Sequence, residues 1–165
     1  IELFVDSANK LLLENVFFLV AGKVYKEKQT EFVLSKLSTL QENSYTYLET
    51  IQGDEYFNEL IQLSDIVFLG YKAFFHGSGI LTKAAYFKKT VIATKGHCIG
   101  ERVDKYKLGI TIEEDNIDQC INSIKSLIKN DSQNFNFEFN DYLEIHSIET
   151  FNKSMDEFVI LLNQK

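Results

Sequence analysis

The stretch from residue 66 to residue 94 limits what this chain can fold into more than any other. Ile66, Val67, Phe68 and Leu69 form an unbroken apolar run, the pattern of a strand buried on both faces. Gly70 and Tyr71 follow, then Phe74, Phe75, His76, Gly77, Ser78 and Gly79. The two last glycines flank Ser78 where a helix should begin. Leu81, Ala84 and Ala85 fall at i, i+3 and i+4, one apolar face of that helix, and the small alanines let it lie close to a sheet. Val91, Ile92 and Ala93 supply a second buried strand. A strand–helix–strand unit of this kind turns the helix amino end toward the carboxyl edge of the sheet. Unpaired N–H groups and the positive end of the helix dipole gather there and can hold an anion.

The flanking sequence extends this alternation. Ile1, Phe4, Val5, Ala8, Leu11 and Leu12 repeat at helical spacing and predict a helix to about residue 13. Residues 17–21 read as a buried strand ending at Gly22, and residues 25–41 as a polar helix carrying Phe32, Val33, Leu37 and Leu40. Residues 45–51 alternate in the manner of a strand. Asp54 is the expected N-cap of a helix whose apolar face holds Phe57, Leu60, Ile61 and Leu63. After residue 94 come a glycine-bearing loop at 95–100, a turn or two of helix at 101–106 and a strand at 109–112. An amphipathic helix over 116–129, a loop at 130–140 and a last helix from Ser147 to about Leu162 complete the chain. His146 is expected as the lead-in to that helix.

Strands alternating with helices predict an α/β fold, a doubly wound parallel sheet with helices on both faces. At 165 residues one domain is expected. Ligands of such sheets bind beyond the carboxyl ends of the strands. Four loops reach that edge: those after Gly22 and Ile51, and those at 71–79 and 95–100. The net charge of −7 argues against a nucleic-acid partner. No apolar run reaches the ~18 residues of a membrane span, and Cys98 and Cys120 read as free thiols. No Ser/His/Asp triad and no metal-ligand spacing can be read, so the expectation is no metal and no cofactor.

Several segments together resemble the donor-binding half of a group 1 glycosyltransferase. They are Leu69-Gly70-Tyr71, Gly77-Ser78-Gly79-Ile80-Leu81, Ala84-Ala85 and Thr90 to Thr94, then Ile99 to Val103 and Tyr106 to Gly109. Phe18 to Gly22 is similar to that family's second strand, and Glu144 to Phe151 to the start of its last helix. The resemblance covers nearly the whole chain and lies in the order of the segments. It implies a Rossmann-like, C-terminal half of a GT-B fold, with residues 1–165 as a single donor-binding domain. The helix over 147–163 would pack on that domain or reach toward an N-terminal acceptor-binding lobe of the same protein. It further implies transfer of a hexosyl group from a nucleotide-diphosphate sugar, as substrate, to a polysaccharide or lipid-linked glycan. The isolated domain would be inactive. The setting implied is cytoplasmic, at the inner face of a membrane where the full-length enzyme makes peripheral contact.

The donor-binding residues expected are Gly22, Lys23, Thr50, Ile51, Tyr71, His76, Gly77, Ser78, Gly79, Ile80, Leu81 and Lys83. Backbone amides and the Ser78 hydroxyl would cradle the diphosphate, with Lys83 and Lys23 as nearby cations. Catalytic residues cannot be named, because leaving-group stabilisation is expected to come mainly from such electrostatics. Two features set the chain apart from the family pattern. Its pair of glutamates eight positions apart would fall near Phe75 or His76 and at Lys83, none of them acidic. The family's first strand, central in its sheet, is expected just before Ile1, or its place is filled by another segment. The alternatives are a nonenzymatic module of the same fold and a nucleotide-sugar epimerase.

Overall fold

A computed structural model describes residues 1–24, 27–129 and 136–163. The elements run α1 (Glu2–Lys10), β1 (Phe18–Ala21), α2 (Glu27–Leu37), β2 (Ser44–Tyr47), α3 (Gly53–Leu63), β3 (Ile66–Leu69) and α4 (Gly79–Tyr86). They continue through β4 (Thr90–Thr94), α5 (His97–Lys105), β5 (Gly109–Ile112), α6 (Ile117–Ile128), α7 (Phe139–Ile145) and α8 (Ile148–Asn163). Among the described residues every strand pairing is parallel, β1 with β2, and β3 with β4 with β5, giving sheets of two and three strands.

The apolar runs bury two faces, as their composition predicts. Val67, Leu69, Val91 and Ala93 point into one core with Ile61, Leu81, Ala84, Ala85, Ile99, Val103, Leu108 and Tyr142, which brings α3, α4, α5 and α7 to that side. Ile92 and Ile112 point the other way, with Phe18, toward Leu3, Ala8 and Leu11 of α1 and Cys120 and Ile124 of α6. Helices thus cover both faces of a doubly wound arrangement. Gly109 is dictated by strand packing, since a Cβ there would come within 2.6 Å of the Val91 carbonyl carbon.

Several boundaries differ from expectation. β2 ends at Tyr47, so Thr50 and Ile51 lie in the coil before α3. Its partner among the described residues, β1, is four residues long, and the ladder closes with Gly22 N–H donating to Tyr47 O. Gln52, not Asp54, is the N-cap of α3, and Asp54 sits in its first turn. α1 ends at Lys10, and Leu13 is exposed. Most of 95–100 is helix: Gly96 at φ 73° turns the chain sharply, and α5 starts at His97. α7 includes residues 139 and 140, where a loop was expected, and His146 is its C-cap. The start of the helix expected at 25, and 130–135 of the loop, lie outside the described residues. α8 matches expectation, opened by the Ser147 hydroxyl accepting from Thr150 N–H at 3.1 Å.

Candidate functional site

The carboxyl edge of β3–β5 is built from the exits of those strands and the amino end of α4. β3 ends at Leu69, and Tyr71 N–H returns to Leu69 O. The loop that follows is tied down along its length. Thr94 Oγ1, at the end of β4, donates to Tyr71 O at 2.8 Å. Ala73 N–H donates to Glu114 Oε2 at 2.9 Å. The Tyr71 ring lies 4.9 Å from that of Phe74, whose edge meets His76 at 5.7 Å. Burial raises the Tyr71 phenol above its usual value, and a hydrogen bond with Ser78 partly offsets this.

Ser78 opens α4. Its extended backbone leaves the hydroxyl free to accept from Ile80 N–H at 3.2 Å, the geometry of an N-cap. Leu81 N–H donates to Ser78 O. The Gly79 N–H meets no partner among the described residues, and a Cβ on Gly79 would meet nothing within 4 Å. Gly77 and Gly79 are both exposed, so α4 presents its amino end to open space.

The remaining expected residues divide. Gly22, at φ 126°, turns the chain out of β1, with Lys23 exposed behind it. Ile80 is half-buried, and Leu81 is wholly buried in the core, so its side chain serves packing. Lys83 points away from the α4 amino end toward α3. Its ammonium donates to Asn58 Oδ1 at 2.7 Å, pairs with Asp54 at 3.3 Å and lies over the Phe57 ring.

Charge pairing around the edge singles out a residue that motif reading passed over. Lys72 pairs with Asp115 at 2.7 Å and Glu2 at 3.6 Å, and Lys95 pairs with Glu113 at 3.0 Å. These carboxylates hold both ammonium groups above their usual pKa. Arg102, on α5, meets no carboxylate among the described residues. Its Nη1 would stand 3.2 Å from a Cβ on Gly77. A guanidinium without a counter-charge therefore sits against the loop that opens α4. The sequence carried a faint signal: Arg102 lies on the second loop-and-helix unit after a buried strand, and α5 turns it back toward the first.

Among the depressions on the surface, one of about 600 Å³ lies among Asn58, Thr82, Lys83, Tyr86, Leu143 and His146. Another, of about 290 Å³, lies among Lys95, Thr111, Glu113 and Gln119. Neither takes in residues 77–80; with Gly77 and Gly79 exposed, the α4 amino end forms a shelf facing solvent. No group of three His, Cys, Asp or Glu side chains able to hold a metal occurs among the described residues. No helix among them is long and apolar enough to cross a membrane.

Compared with known proteins, residues 1–143 match the family model described as glycosyl transferases group 1. The comparison with curated proteins returned no match.

Proposed function

The chain belongs to the group 1 glycosyltransferases, and on that premise we propose that it binds the diphosphate of a nucleotide sugar on the shelf at the start of α4. The observation that carries this is the convergence there of an unpartnered Gly79 N–H, the positive end of α4 and the Arg102 guanidinium. Arg102 takes the cationic role expected of Lys83. Tyr71 and His76 line the approach. Charge developing on the leaving diphosphate during sugar transfer is stabilised by these groups, and the absence of a Cβ at Gly79 admits the phosphate to the backbone. The donor is a hexosyl nucleotide, the acceptor a polysaccharide or lipid-linked glycan, and the setting cytoplasmic, at the inner membrane face. An acceptor-binding lobe of the same protein closes over the shelf and receives α8, whose Ile148, Phe151, Met155, Phe158 and Leu162 are exposed. Without that lobe the domain is inactive.

Titration of the chain with uridine or guanosine diphosphate tests the donor reading. Saturable binding is expected, weakened about tenfold or more by Gly79→Val and by Arg102→Gln. Failure of both nucleotides to bind at millimolar concentration overturns it. A nonenzymatic module is the second reading. Lys83 favours it, because a lysine held by Asp54 and Asn58 stands where the family resemblance calls for a ribose-binding glutamate. Transfer of labelled sugar by a longer form of the protein separates the two. Donor epimerisation without acceptor would point to the epimerase instead.

A further inference from the structure

The outer face of α4 forms the floor of a trough whose lysine is already paired, and we propose that this trough binds a neutral glycan chain, apart from the donor shelf. The proposal draws on membership of a sugar-transferring family and not on the donor reading.

The trough follows from what each helix sets against the core. Leu81, Ala84 and Ala85 are wholly buried, and two alanines let α4 settle close to the sheet. Thr82, Lys83 and Tyr86 then fall on its opposite face. α3 meets the same core through Phe57 and Ile61, and bulkier contacts hold a helix axis further out. On the other side of α4 stands the elbow between α7 and α8. Tyr142 anchors it, wholly buried and with its hydroxyl 3.1 Å from Thr82 Oγ1. Thr150 Oγ1 donates to Glu144 O at 2.7 Å and fixes the bend. A helix sunk between two higher neighbours leaves the depression of about 600 Å³, which Asn58 of α3 bounds on one side and His146 and Glu149 of the elbow on the other. Sites for small molecules commonly enclose about 300–1,000 Å³.

The charges in the trough disfavour an anion. Lys83 donates to Asn58 Oδ1 at 2.7 Å and pairs with Asp54 at 3.3 Å. Glu149 has no ion pair among the described residues. Desolvation and then the Arg102 charge hold the His146 imidazole below its usual value, so it is neutral at neutral pH. A phosphate or uronate entering here would meet an unbalanced carboxylate and no unengaged cation. No carboxylate cluster able to hold a metal occurs among the described residues either.

What remains is a set of hydrogen-bonding groups around an aromatic face. Asn58 gives its oxygen to Lys83, which leaves the Nδ2 donor without a partner among the described residues. The neutral His146 ring offers one donor and one acceptor, and Glu149 offers acceptors. Tyr86 is 68% exposed, and its edge contact with Phe87 at 5.0 Å orients the ring. Such a ring is a flat apolar surface with a hydroxyl at its rim. Leu143 and Ile148 add apolar wall. A pyranose matches this pattern, with C–H groups on its faces and hydroxyls around its edge that both donate and accept. Lys83 lies one turn past Gly79, about 6 Å along α4. A glycan in the trough therefore lies beside the shelf without taking the donor's place.

Calorimetric titration of the chain with cellohexaose, maltohexaose and N-acetylchitohexaose tests this, with an oligouronate of similar length as the anionic comparison. Saturable binding of at least one neutral oligosaccharide is expected, unchanged by added salt and by uridine diphosphate. Tyr86→Ala, at an exposed position, should weaken it about fivefold or more, and Tyr86→Phe, which keeps the ring, by less than about twofold. Failure of all three neutral oligosaccharides to bind at millimolar concentration overturns the proposal. So does preference for the oligouronate, or binding that Tyr86→Ala leaves intact. Displacement of the glycan by uridine diphosphate also overturns it, because the sugar would then occupy the donor shelf. Glycan binding without nucleotide binding defeats the donor reading alone, and nucleotide binding without glycan binding defeats this one alone.

Discussion

Ser78 offers a way to separate the helix cap from the anion site. Ser78→Ala removes the oxygen that accepts Ile80 N–H. A lost N-cap costs about 1 kcal/mol. For a domain of this size that lowers Tm by roughly 2–4 °C. As a cap, glycine falls only a few tenths of a kcal/mol short of serine, so the Ser78→Gly melt should lie between wild type and Ser78→Ala. Ser78→Asp keeps a capping oxygen, and its charge suits the helix dipole, so its Tm should stay within about 2 °C of wild type. That same charge would stand where the diphosphate docks, and nucleotide affinity should fall about tenfold or more. Thermal melts followed by circular dichroism and calorimetric titration with uridine or guanosine diphosphate read the two effects apart. Equal melts for Ser78→Ala and Ser78→Gly would refute the cap. Unchanged nucleotide affinity in Ser78→Asp would refute the anion shelf.

Gly109→Ala should cost about 3 kcal/mol or more, because its Cβ would press on the Val91 backbone and force β4 from β5; Gly79→Ala, facing open space, should be neutral or slightly stabilising, and equal denaturation midpoints would contradict this. Native thiol titration should count one accessible cysteine, Cys98, while Cys120 reacts only as the chain opens; Cys120 is wholly buried, its thiol raised by burial and in contact with the Ser7 hydroxyl at 3.3 Å. The His146 imidazole titrates below its usual 6.5, through desolvation and then the Arg102 charge. The unfolded chain therefore binds that proton more readily, and stability should decline slightly as pH falls from about 6.5 through the lowered value; His146→Asn should flatten the decline, measured by urea denaturation at stepped pH.

The α/β alternation was legible because burial on both faces needs apolar runs, and the runs at 66–69 and 91–93 admit little else. The amino end of α4 was equally legible, since Gly-Ser-Gly before a periodic apolar face is local chemistry. What escaped was set by partners far away in sequence. β2 stops at Tyr47 because β1 gives it nothing further to bond. His97 joined a helix because Gly96 could take φ 73°. Part of α7 was missed because it is only seven residues long, too short for a periodicity to show, and its anchor is Tyr142, bonded to Thr82 at 3.1 Å in another element.

The sequence alone determined the alternation of strands and helices, the two-faced burial and the amino end of α4, because propensity and periodicity act within a few residues. The tertiary structure alone decided which cations face that helix start. Lys83 lies four residues past Gly79, yet its ammonium reaches Asp54 and Asn58, while Arg102, more than twenty residues downstream, comes to rest beside Gly77. Charge pairing depends on which helices become neighbours, and a one-dimensional pattern does not carry that information.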